Sequence, residues 1–301
     1  MMRDIIIPVL SFAICNCAAD VEELELQFCK KQTTFRVTTF NIKNSIDAVP
    51  DVQDEWQNRR EHVHVVMDDI NSDIYGLQEV TEEQLEWLKE KFPEYDFQYH
   101  LHVNAWNHTV YDSVLMWKRD RFIIKESGSF WTNEKYNNVA PWVIAQDRYS
   151  LREYYIVNVH LGSNPDRREE FNLIKAKVGE YLQNKPVIVL GDFNATPEPT
   201  PWHPPSMYVY PILVNDSFLV DGYKTLYPKT KERSSCSWEE YCHQYGIDLR
   251  IDLVLLSREI QPVYGEIYKS SLNGRNVSDH YPVYLDLTLQ GSGDTLPVCS
   301  W

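Results

Sequence analysis

Clusters of branched apolar residues along the chain predict β-strands, each bounded by polar or turn-forming residues. The clearest lies at 187–190, where four consecutive branched apolar residues precede Gly191, Asp192, Phe193 and Asn194. The other predicted strands lie at 35–40, 74–77, 114–117, 122–131, 154–161, 251–256 and 281–287. We expect the neighbouring strands 114–117 and 122–131 to form a β-hairpin.

Three stretches carry apolar residues at the spacing of an amphipathic helix. The first covers 54–70, and Thr81 with Gln84 fits a capping box that opens a second helix ending near Phe92. Asn164 followed by Pro165 predicts the start of a third. The residues expected to face the core are Trp56, Val63, Val66, Met67 and Ile70 in the first helix, and Phe171, Ile174, Val178 and Leu182 in the third.

The order of these elements indicates the fold class. Strands outnumber helices, and helices follow only some of the strands, which predicts an α+β fold of two packed β-sheets with helices on their outer faces. No shift of composition interrupts 20–301, so we expect a single domain with one core. Six prolines between 197 and 211 predict a surface excursion near the candidate site.

The first 19 residues have the pattern of a secretory signal peptide. Arg3 precedes an apolar run at 5–17, and Ala18 and Ala19 supply small residues before a cleavage point at Asp20. The run is shorter than the roughly 20 residues that cross a bilayer, so we expect no stable membrane insertion. The sequence therefore predicts a secreted, extracellular protein.

Four cysteines remain after the predicted cleavage, and an even number in an oxidising compartment predicts two disulfides. Cys236 with Cys242 would close a short loop, and Cys29 with Cys299 would join the two ends of the chain. A zinc site is the alternative, but the sequence contains no Cys-x-x-Cys pair to support it.

Sequons at Asn107, Asn215 and Asn276 predict a glycoprotein and agree with secretion. A fourth sequon contains Asn194. Because Asn194 follows the 187–190 strand at a candidate catalytic position, we expect it to stay unglycosylated.

The chain carries a formal net charge of −15. This charge argues against a protein that coats a polyanion with a broad basic surface. It leaves open an enzyme that meets a phosphodiester locally, through metal ions and a few Arg or Lys side chains.

Polar residues close the predicted strands, and nine of them form the candidate site: Asn41, Glu79, Asp112, His160, Asp192, Asn194, Asp252, Asp279 and His280. Oxygen donors such as Asn41, Glu79 and Asp279 suit Mg²⁺ or Mn²⁺, and the lack of a thiolate or multi-histidine set argues against zinc. Two histidines with carboxylate partners suit general acid–base catalysis. Asp192 could handle the water while Asn194 donates to an oxyanion.

Each of these residues also has a purely structural interpretation. Asn41 could cap a turn, and Glu79 could be an acid at a helix start. His160 could be a core histidine bonded to backbone, and Asp252 could pair with its neighbour Arg250. The set as a whole favours catalysis, because a buried sheet rarely ends in so many acceptors unless they converge on a positive group.

Six ordered motifs resemble the endonuclease/exonuclease/phosphatase superfamily, which has the DNase I-like fold. The resemblance covers roughly 35–289. The motifs are Thr39-Phe40-Asn41, Gly76-Leu77-Gln78-Glu79-Val80, Asn158-Val159-His160-Leu161, Gly191-Asp192-Phe193-Asn194, Arg250-Ile251-Asp252 and Ser278-Asp279-His280-Tyr281-Pro282-Val283. The resemblance implies a four-layer α/β/β/α sandwich of two mixed sheets. It also implies divalent-metal-dependent phosphoester hydrolysis without a covalent enzyme intermediate.

The resemblance also implies individual roles at the metal and at the water. Asn41 and Glu79 would hold the metal, with Asp279 nearby. Asp192 would orient or deprotonate the attacking water, and Asn194 would bond a nonbridging phosphate oxygen.

The two histidines receive their roles in the same way. His280 would pair with Asp252 and act at the phosphate. His160, oriented by Asp112, would bind the phosphate or assist the leaving oxygen.

These residues predict a Mg²⁺- or Mn²⁺-dependent phosphodiester hydrolase, and we favour a secreted, monomeric nuclease acting on DNA or RNA. A phosphodiesterase or phosphatase for a lipid or small molecule, similar to a sphingomyelinase, is the nearest alternative. An inactive binding protein on the same scaffold is a third hypothesis. The presence of Glu79, Asp192 and His280 argues against that last one.

Overall fold

The computed structural model describes residues 34–47, 49, 51–103, 109–136, 138–162, 167–198, 209–215, 218–235, 249–269, 271 and 274–289. The strands are β1 Phe35–Asn41, β2 Ile74–Thr81, β3 Tyr95–Tyr99, β4 His102–Val103, β5 Thr109–Lys118, β6 Phe122–Asn133, β7 Asn138–Asp147, β8 Glu153–His160, β9 Val187–Asp192, β10 Val220–Asp221, β11 Asp252–Leu256, β12 Ile260–Ile267 and β13 Val283–Leu289. The α-helices are α1 Trp56–Ile70, α2 Glu82–Lys91, α3 Arg167–Gly179 and α4 Gly222–Leu226.

Two mixed β-sheets form the centre of the fold. The first has the order β12-β13-β1-β2-β5-β3, with β4 also paired to β5, and the second has the order β10-β11-β9-β8-β7-β6. Each sheet contains one parallel pair, β1 with β2 and β8 with β9, among antiparallel neighbours. The carboxyl ends of the parallel strands therefore carry neighbouring side chains at one edge of each sheet.

Three apolar layers hold the sheets and helices together. Residues such as Val37, Leu115, Ile156 and Leu190 fill the space between the two sheets. Helices α1 and α2 pack on the outer face of the first sheet, and α3 packs on the outer face of the second. The predicted four-layer α/β/β/α sandwich is confirmed.

The helix predictions agree closely with the structure. The capping box of Thr81 and Gln84 is formed and opens α2. In α1, the predicted stripe is buried, and Arg59 lies buried on that same face. In α3, Phe171, Ile174 and Val178 are buried as expected, whereas Leu182 lies beyond the end of the helix at Gly179 and is only partly buried.

The predicted hairpin of 114–117 and 122–131 is wrong. Strand β5 pairs with β2 along one edge and with β3 and β4 along the other, whereas β6 pairs with β7 in the opposite sheet. Because both edges of β5 are occupied by other strands, β6 has no edge there to join. Adjacent apolar runs do not reveal such a change of sheet, since the competing partners come from distant parts of the chain.

Several predictions fall on residues outside those described. They concern the signal peptide at 1–19, all four cysteines, Asn107, the start of the third helix at Asn164 and most of the proline-rich stretch at 197–211. Within the described part of the chain, no helix has both the length and the apolar character needed to cross a membrane.

A buried amide bridge joins the two sheets directly beneath the site. Asn158 of β8 donates to the carbonyl oxygens of Leu77 at 2.8 Å and Val114 at 3.0 Å. Its own Oδ1 accepts a hydrogen bond from Gln78 Nε2 at 2.7 Å. Buried amides of this kind fix the register and the separation of the sheets because each unmade bond is costly.

We expect Asn158→Ala to lower the free energy of unfolding by about 3 kcal/mol, because the Gln78 amide and the carbonyls of Leu77 and Val114 each lose one buried hydrogen bond. Urea denaturation would measure the change. Gln146→Ala is the matched control, since Gln146 Nε2 makes an exposed hydrogen bond to Leu151. Equal losses in the two variants would contradict the proposed importance of the bridge.

Candidate active site

The ends of the strands bring the predicted site residues together at one edge of the sandwich. Asn41 ends β1, His160 ends β8, Asp192 ends β9 and Asp252 begins β11. Within the second sheet, Asp192 lies between its register partners His160 and Asp252. Hydrogen bonds and charge interactions connect these residues to the remaining predicted ones.

Asp192 is the centre of this arrangement. Its Oδ2 lies 3.8 Å from Nε2 of His160 and 3.8 Å from Nε2 of His280. The same oxygen accepts a hydrogen bond from Asn41 Nδ2 at 3.2 Å, and Oδ1 accepts one from the backbone of Asn194 at 2.8 Å. A buried carboxylate between two imidazole rings can orient a water molecule and accept its proton.

His160 is held by Asp112, as the resemblance implied. Its Nδ1 lies 3.0 Å from Asp112 Oδ1, which leaves Nε2 directed toward Asp192. Burial alone would lower the pKa of His160, but the charge and hydrogen bond of Asp112, together with the charges of Asp192 and Glu79, raise it to about 10. The ring is therefore protonated at neutral pH and can donate a hydrogen bond or a proton to a phosphate oxygen.

His280 is held in the same way by Asp252. Its Nδ1 lies 3.0 and 3.1 Å from the two oxygens of Asp252. Burial opposes the charged ring, but Asp252 raises the pKa of His280 well above its ordinary value. The alternative pairing of Asp252 with Arg250 is wrong, because Arg250 instead binds Asp221 at 2.6 Å.

Glu79 is an ionised carboxylate enclosed by donors. Its Oε2 accepts hydrogen bonds from the backbone and side chain of Asn44 at 3.1 and 2.8 Å, and lies 3.3 Å from Lys43 Nζ. Its Oε1 accepts a hydrogen bond from Asn41 at 3.1 Å. Burial would raise the pKa of Glu79, but the charges of Lys43 and His160 and these hydrogen bonds hold it well below its usual range.

Unusual backbone conformations direct several of these side chains. Lys43, Glu79, Asp112 and Asn194 all have positive φ, at 55°, 61°, 48° and 45°. The pairing of β2 with β5 shifts register between Leu77 and Val80, so Glu79 lies in a bulge. Such conformations cost free energy and concentrate at functional sites, where they aim side chains that a regular strand would point elsewhere.

Asn194 and Asp279 complete the predicted set. Asn194 Nδ2 donates to the carbonyl of Leu161 at 2.7 Å, so in this structure its amide braces the loop after β9. Its bond to a phosphate oxygen stays a prediction. Asp279 accepts a hydrogen bond from Ser278 Oγ at 3.3 Å, and burial raises the pKa of Asp279 despite the opposing charge of His280.

The oxygen donors beside Lys43 fit the divalent cation that the resemblance implies. Glu79 is buried and ionised, and Asp279 interacts electrostatically with both Glu79 and Lys43. Asn41 presents Nδ2 to the carboxylates, and its Oδ1 accepts a hydrogen bond from the backbone of Lys43 at 3.0 Å. Carboxylate and amide oxygens are the ligands that Mg²⁺ and Mn²⁺ prefer. Asn41, Glu79 and Asp279 are therefore the residues that would hold the metal.

A second group of candidate ligands lies on the other side of Asp192. Ligand atoms of Asp192, Asp252 and His280 lie within 4.8 Å of one another. Within this group, both carboxylate oxygens of Asp252 are already in hydrogen-bond contact with His280 Nδ1. We therefore favour the Glu79 side for the metal, because its carboxylate is not committed to an imidazole.

Sequence reasoning missed three residues that build the site. Lys43 and Asn44 bind Glu79, and both follow Asn41 closely enough for the Asn-Ile-Lys-Asn run to have indicated them. Arg59 is buried and donates to the carbonyls of Lys43 and Val277, thereby joining two site loops. The sequence could have indicated Arg59, because it is a charged residue within the apolar stripe of a predicted helix.

We expect Asp112→Asn to lower the pKa of His160 by removing the charge that raises it. In the native protein the contact stabilises the fold fully below pH 6.5, and this contribution is lost as the pH rises toward 10. The stability advantage of native protein over the variant should therefore shrink by about 1.4 kcal/mol per pH unit within that window. Urea denaturation between pH 6 and 10, with NMR titration of His160, would measure it; a constant difference would contradict the assignment.

Comparisons with known proteins identify the family of the chain. Residues 38–280 match the Endonuclease/Exonuclease/phosphatase family. No curated protein sequence matches the chain.

Solved structures share the fold at low sequence identity. A family protein from Bacteroides thetaiotaomicron has a TM-score of 0.71 and 21% identity, covering 85% of this chain and 98% of its own. A mannosyl-6-phosphatase from the same species has a TM-score of 0.69 and 22% identity, covering 85% and 100%. TDP2 of D. rerio, complexed with a single strand DNA product, has a TM-score of 0.66 and 16% identity, covering 85% and 99%. With the family match spanning most of its length, the chain belongs to the endonuclease/exonuclease/phosphatase family of phosphoester hydrolases.

Proposed function

We propose that this protein is a nuclease that hydrolyses phosphodiester bonds of DNA or RNA with the help of Mg²⁺ or Mn²⁺. The observation that carries the proposal is the position of Asp192 Oδ2, 3.8 Å from the Nε2 atoms of both His160 and His280. Each imidazole has its own carboxylate partner, so a base and two protonated donors converge on one small volume.

The proposed reaction is a direct displacement by water. Asp192 orients the water and accepts its proton while the water oxygen forms a bond to phosphorus. The bond from phosphorus to the leaving oxygen breaks, and His160 donates its proton to that oxygen. His280 donates a hydrogen bond to a nonbridging oxygen and stabilises its developing charge. A divalent cation held by Asn41, Glu79 and Asp279 would supply further stabilisation of charge on the phosphoryl oxygens.

The support for the substrate class comes from proteins of the same fold and from the charge of the chain. TDP2, which shares the fold, was solved with a DNA product. The net charge of −15 favours a second candidate, a small phosphoester, because a long polyanion gains no general attraction from this protein. The mannosyl-6-phosphatase with the same fold agrees with that candidate. A lipid phosphodiester is a further alternative.

The proposed location is extracellular, and the protein is proposed to act as a monomer. The support for secretion is the signal-like segment 1–19, the even number of cysteines after it and the sequons. Within the described residues, the sequon asparagines Asn215 and Asn276 both lie in connections between strands.

We expect hydrolysis of single-stranded nucleic acid that requires Mg²⁺ or Mn²⁺ and is abolished by EDTA, since the buried carboxylates at Glu79 and Asp279 lose their cation. Protein recovered from the culture medium would be incubated with duplex DNA, single-stranded DNA, RNA, sphingomyelin and a sugar monophosphate. Addition of Mn²⁺ in excess over EDTA should restore activity.

The outcomes separate the hypotheses. Cleavage of nucleic acid alone would support the proposal, and products would show which oxygen leaves. Release of phosphate from the sugar ester alone would favour the small-molecule candidate, and cleavage of sphingomyelin alone the lipid one. Inactivity on all five substrates with a folded protein would contradict the proposal.

A further inference from the structure

Three aromatic rings at or near β4 and β6 take no part in the chemistry described above. Trp131 of β6 makes edge-to-face contacts with His100 at 5.4 Å and His102 at 6.0 Å between ring centroids. His100 is also fixed by a 3.0 Å contact between its Nδ1 and Ser129 Oγ. We call His100, His102 and Trp131 the aromatic wall; it joins the two sheets, because His102 belongs to the first and Trp131 to the second.

Strand register places Trp131 on the same face of its sheet as the catalytic residues. Trp131 pairs with Val139, and the antiparallel register of β7 with β8 reaches Trp142 opposite Val157. Extended by three residues, that register would place Val139 opposite His160. His160 in turn pairs with Asp192. Side chains in one cross-strand row project from the same face, so the Trp131 indole lies on the inner face, on the His160 side of the site.

The first sheet brings the wall to the same place. Burial lowers the pKa of His102, and the negative charge of Asp112, which also holds His160, partly opposes that lowering. Asp112 therefore links His160 and His102. The aromatic wall is therefore on the His160 side of the site, away from the Asp252–His280 pair. His160 is the residue proposed to protonate the leaving oxygen.

The exposure of these rings distinguishes them from core aromatics. Trp56, Trp87 and Trp117 are buried in the helix and sheet layers, whereas Trp131, His100 and His102 are only partly covered. A partly exposed indole supported by two imidazoles offers a fixed, apolar surface next to a phosphate site. Base stacking on such a surface is independent of charge, which suits a protein of net charge −15.

We propose that the aromatic wall stacks on the nucleobase of the leaving nucleoside, with Trp131 as the specificity-determining residue. This inference rests on the proposed nuclease function and narrows its substrate to phosphodiesters that carry a base on the leaving side. The wall contributes to substrate affinity, and the catalytic carboxylates and histidines determine the rate of the chemical step.

The test compares a dinucleotide with two analogues in which one base or the other is replaced by hydrogen, all with Mg²⁺. Product analysis identifies the leaving side. We expect native enzyme to show about a tenfold higher KM when the leaving-side base is missing, and a much smaller change for the other base. Trp131→Leu should raise KM for the complete dinucleotide about tenfold with little change in kcat, and should erase the discrimination.

Two further variants separate stacking from packing. Trp131→Phe keeps an aromatic face and should retain most of the discrimination, whereas Trp131→Leu keeps only apolar bulk. Trp142→Phe is the control, because Trp142 contacts Tyr155 in the outer layer of the same sheet.

The experiment distinguishes a failure of the stacking proposal from a failure of the proposed nuclease function. Equal KM values for all three substrates in native enzyme would contradict the proposed stacking on the aromatic wall. So would a Trp131→Leu variant that still has a higher KM for the analogue without the leaving-side base. Neither result would contradict the proposed nuclease function. Equal loss of kcat on all substrates in Trp131→Leu, without a change in the KM ratio, would also contradict the proposed stacking. Failure of native enzyme to hydrolyse any dinucleotide would overturn the proposed function together with this inference.

Discussion

His280→Gln should lower kcat by about a thousandfold, with KM changed little, because the imidazolium acts on charge that develops in the transition state. Glutamine can still donate a hydrogen bond but carries no positive charge. Its amide also cannot use the Asp252 carboxylate to gain charge as the imidazole does. The native ring lies 3.0 Å from that carboxylate and 3.8 Å from Asp192. Its positive charge is therefore next to the position proposed for the attacked phosphate.

A loss of structure must be distinguished from a loss of chemistry in this variant. His280→Gln leaves Asp252 fully buried without its cationic partner, which should destabilise the fold. The double variant His280→Gln/Asp252→Asn removes the orphaned charge and should recover stability without recovering activity. Thermal denaturation and single-turnover kinetics on both variants would measure these two effects separately.

His62→Gln supplies the matched control, since His62 lies on α1 at the outer face of the first sheet. We expect native kcat in this control. A kcat within threefold of native in folded His280→Gln would remove His280 from the catalytic set. Recovery of activity in the double variant would instead show that His280 has only a structural role.

Much of the site could be predicted because strands end where apolar runs end. Asn41, His160 and Asp192 are the last residues of their strands, and Asp252 is the first of its strand. The parallel pairs β1–β2 and β8–β9 then bring these ends together. The local pattern thus located the residues, while the partners of the two histidines came from the family resemblance. Both histidine–aspartate pairs are in contact in the structure.

What escaped prediction depends on non-local contacts or irregular backbone. The position of Glu79 follows from a bulge and a positive φ of 61°, which a strand pattern cannot reveal. Strand β6 leaves the sheet of β5 because distant strands occupy both edges of β5. Strand β3 escaped because most of its residues are only partly buried and give no clear alternation.

The same irregularity suggests how the site is kept rigid. Glu79, Asp112 and Lys43 hold left-handed conformations that an isolated segment would avoid. Arg59, buried beneath them, donates to the carbonyls of Lys43 and Val277 and so supports two of the loops. Backbone strain at the site is thus compensated by a network of buried hydrogen bonds around it.

Glu79→Gln should weaken divalent-metal binding at least about a hundredfold and lower kcat/KM at limiting Mn²⁺ by a similar factor or more. Glutamine keeps the size of the side chain and can still accept hydrogen bonds from Asn44, but it removes the negative charge that a cation needs.

Lys43 makes this substitution informative. In native protein its Nζ lies 3.3 Å from Glu79 and 3.2 Å from Asp47, so the ammonium neutralises the carboxylate. After Glu79→Gln, Lys43 keeps the charges of Asp279 and the exposed Asp47 but loses that of Glu79, so its ammonium brings a less compensated positive charge close to the metal position. Repulsion between the ammonium and the cation should therefore add to the loss of the ligand, and Lys43→Gln introduced with Glu79→Gln should restore part of the metal affinity.

Calorimetric titration of Mn²⁺ into each protein would measure the affinity independently of turnover. Glu61→Gln is the control, because Glu61 forms an exposed ion pair with Lys91 at 3.0 Å and lies on α1. It should bind Mn²⁺ as native protein does. Unchanged Mn²⁺ affinity in folded Glu79→Gln would transfer the metal to the group formed by Asp192, Asp252 and His280, where Asp252→Asn would then be the variant that loses it. Asp192 belongs only to the second set of ligands, and this pair of variants decides which of the two sets holds the cation.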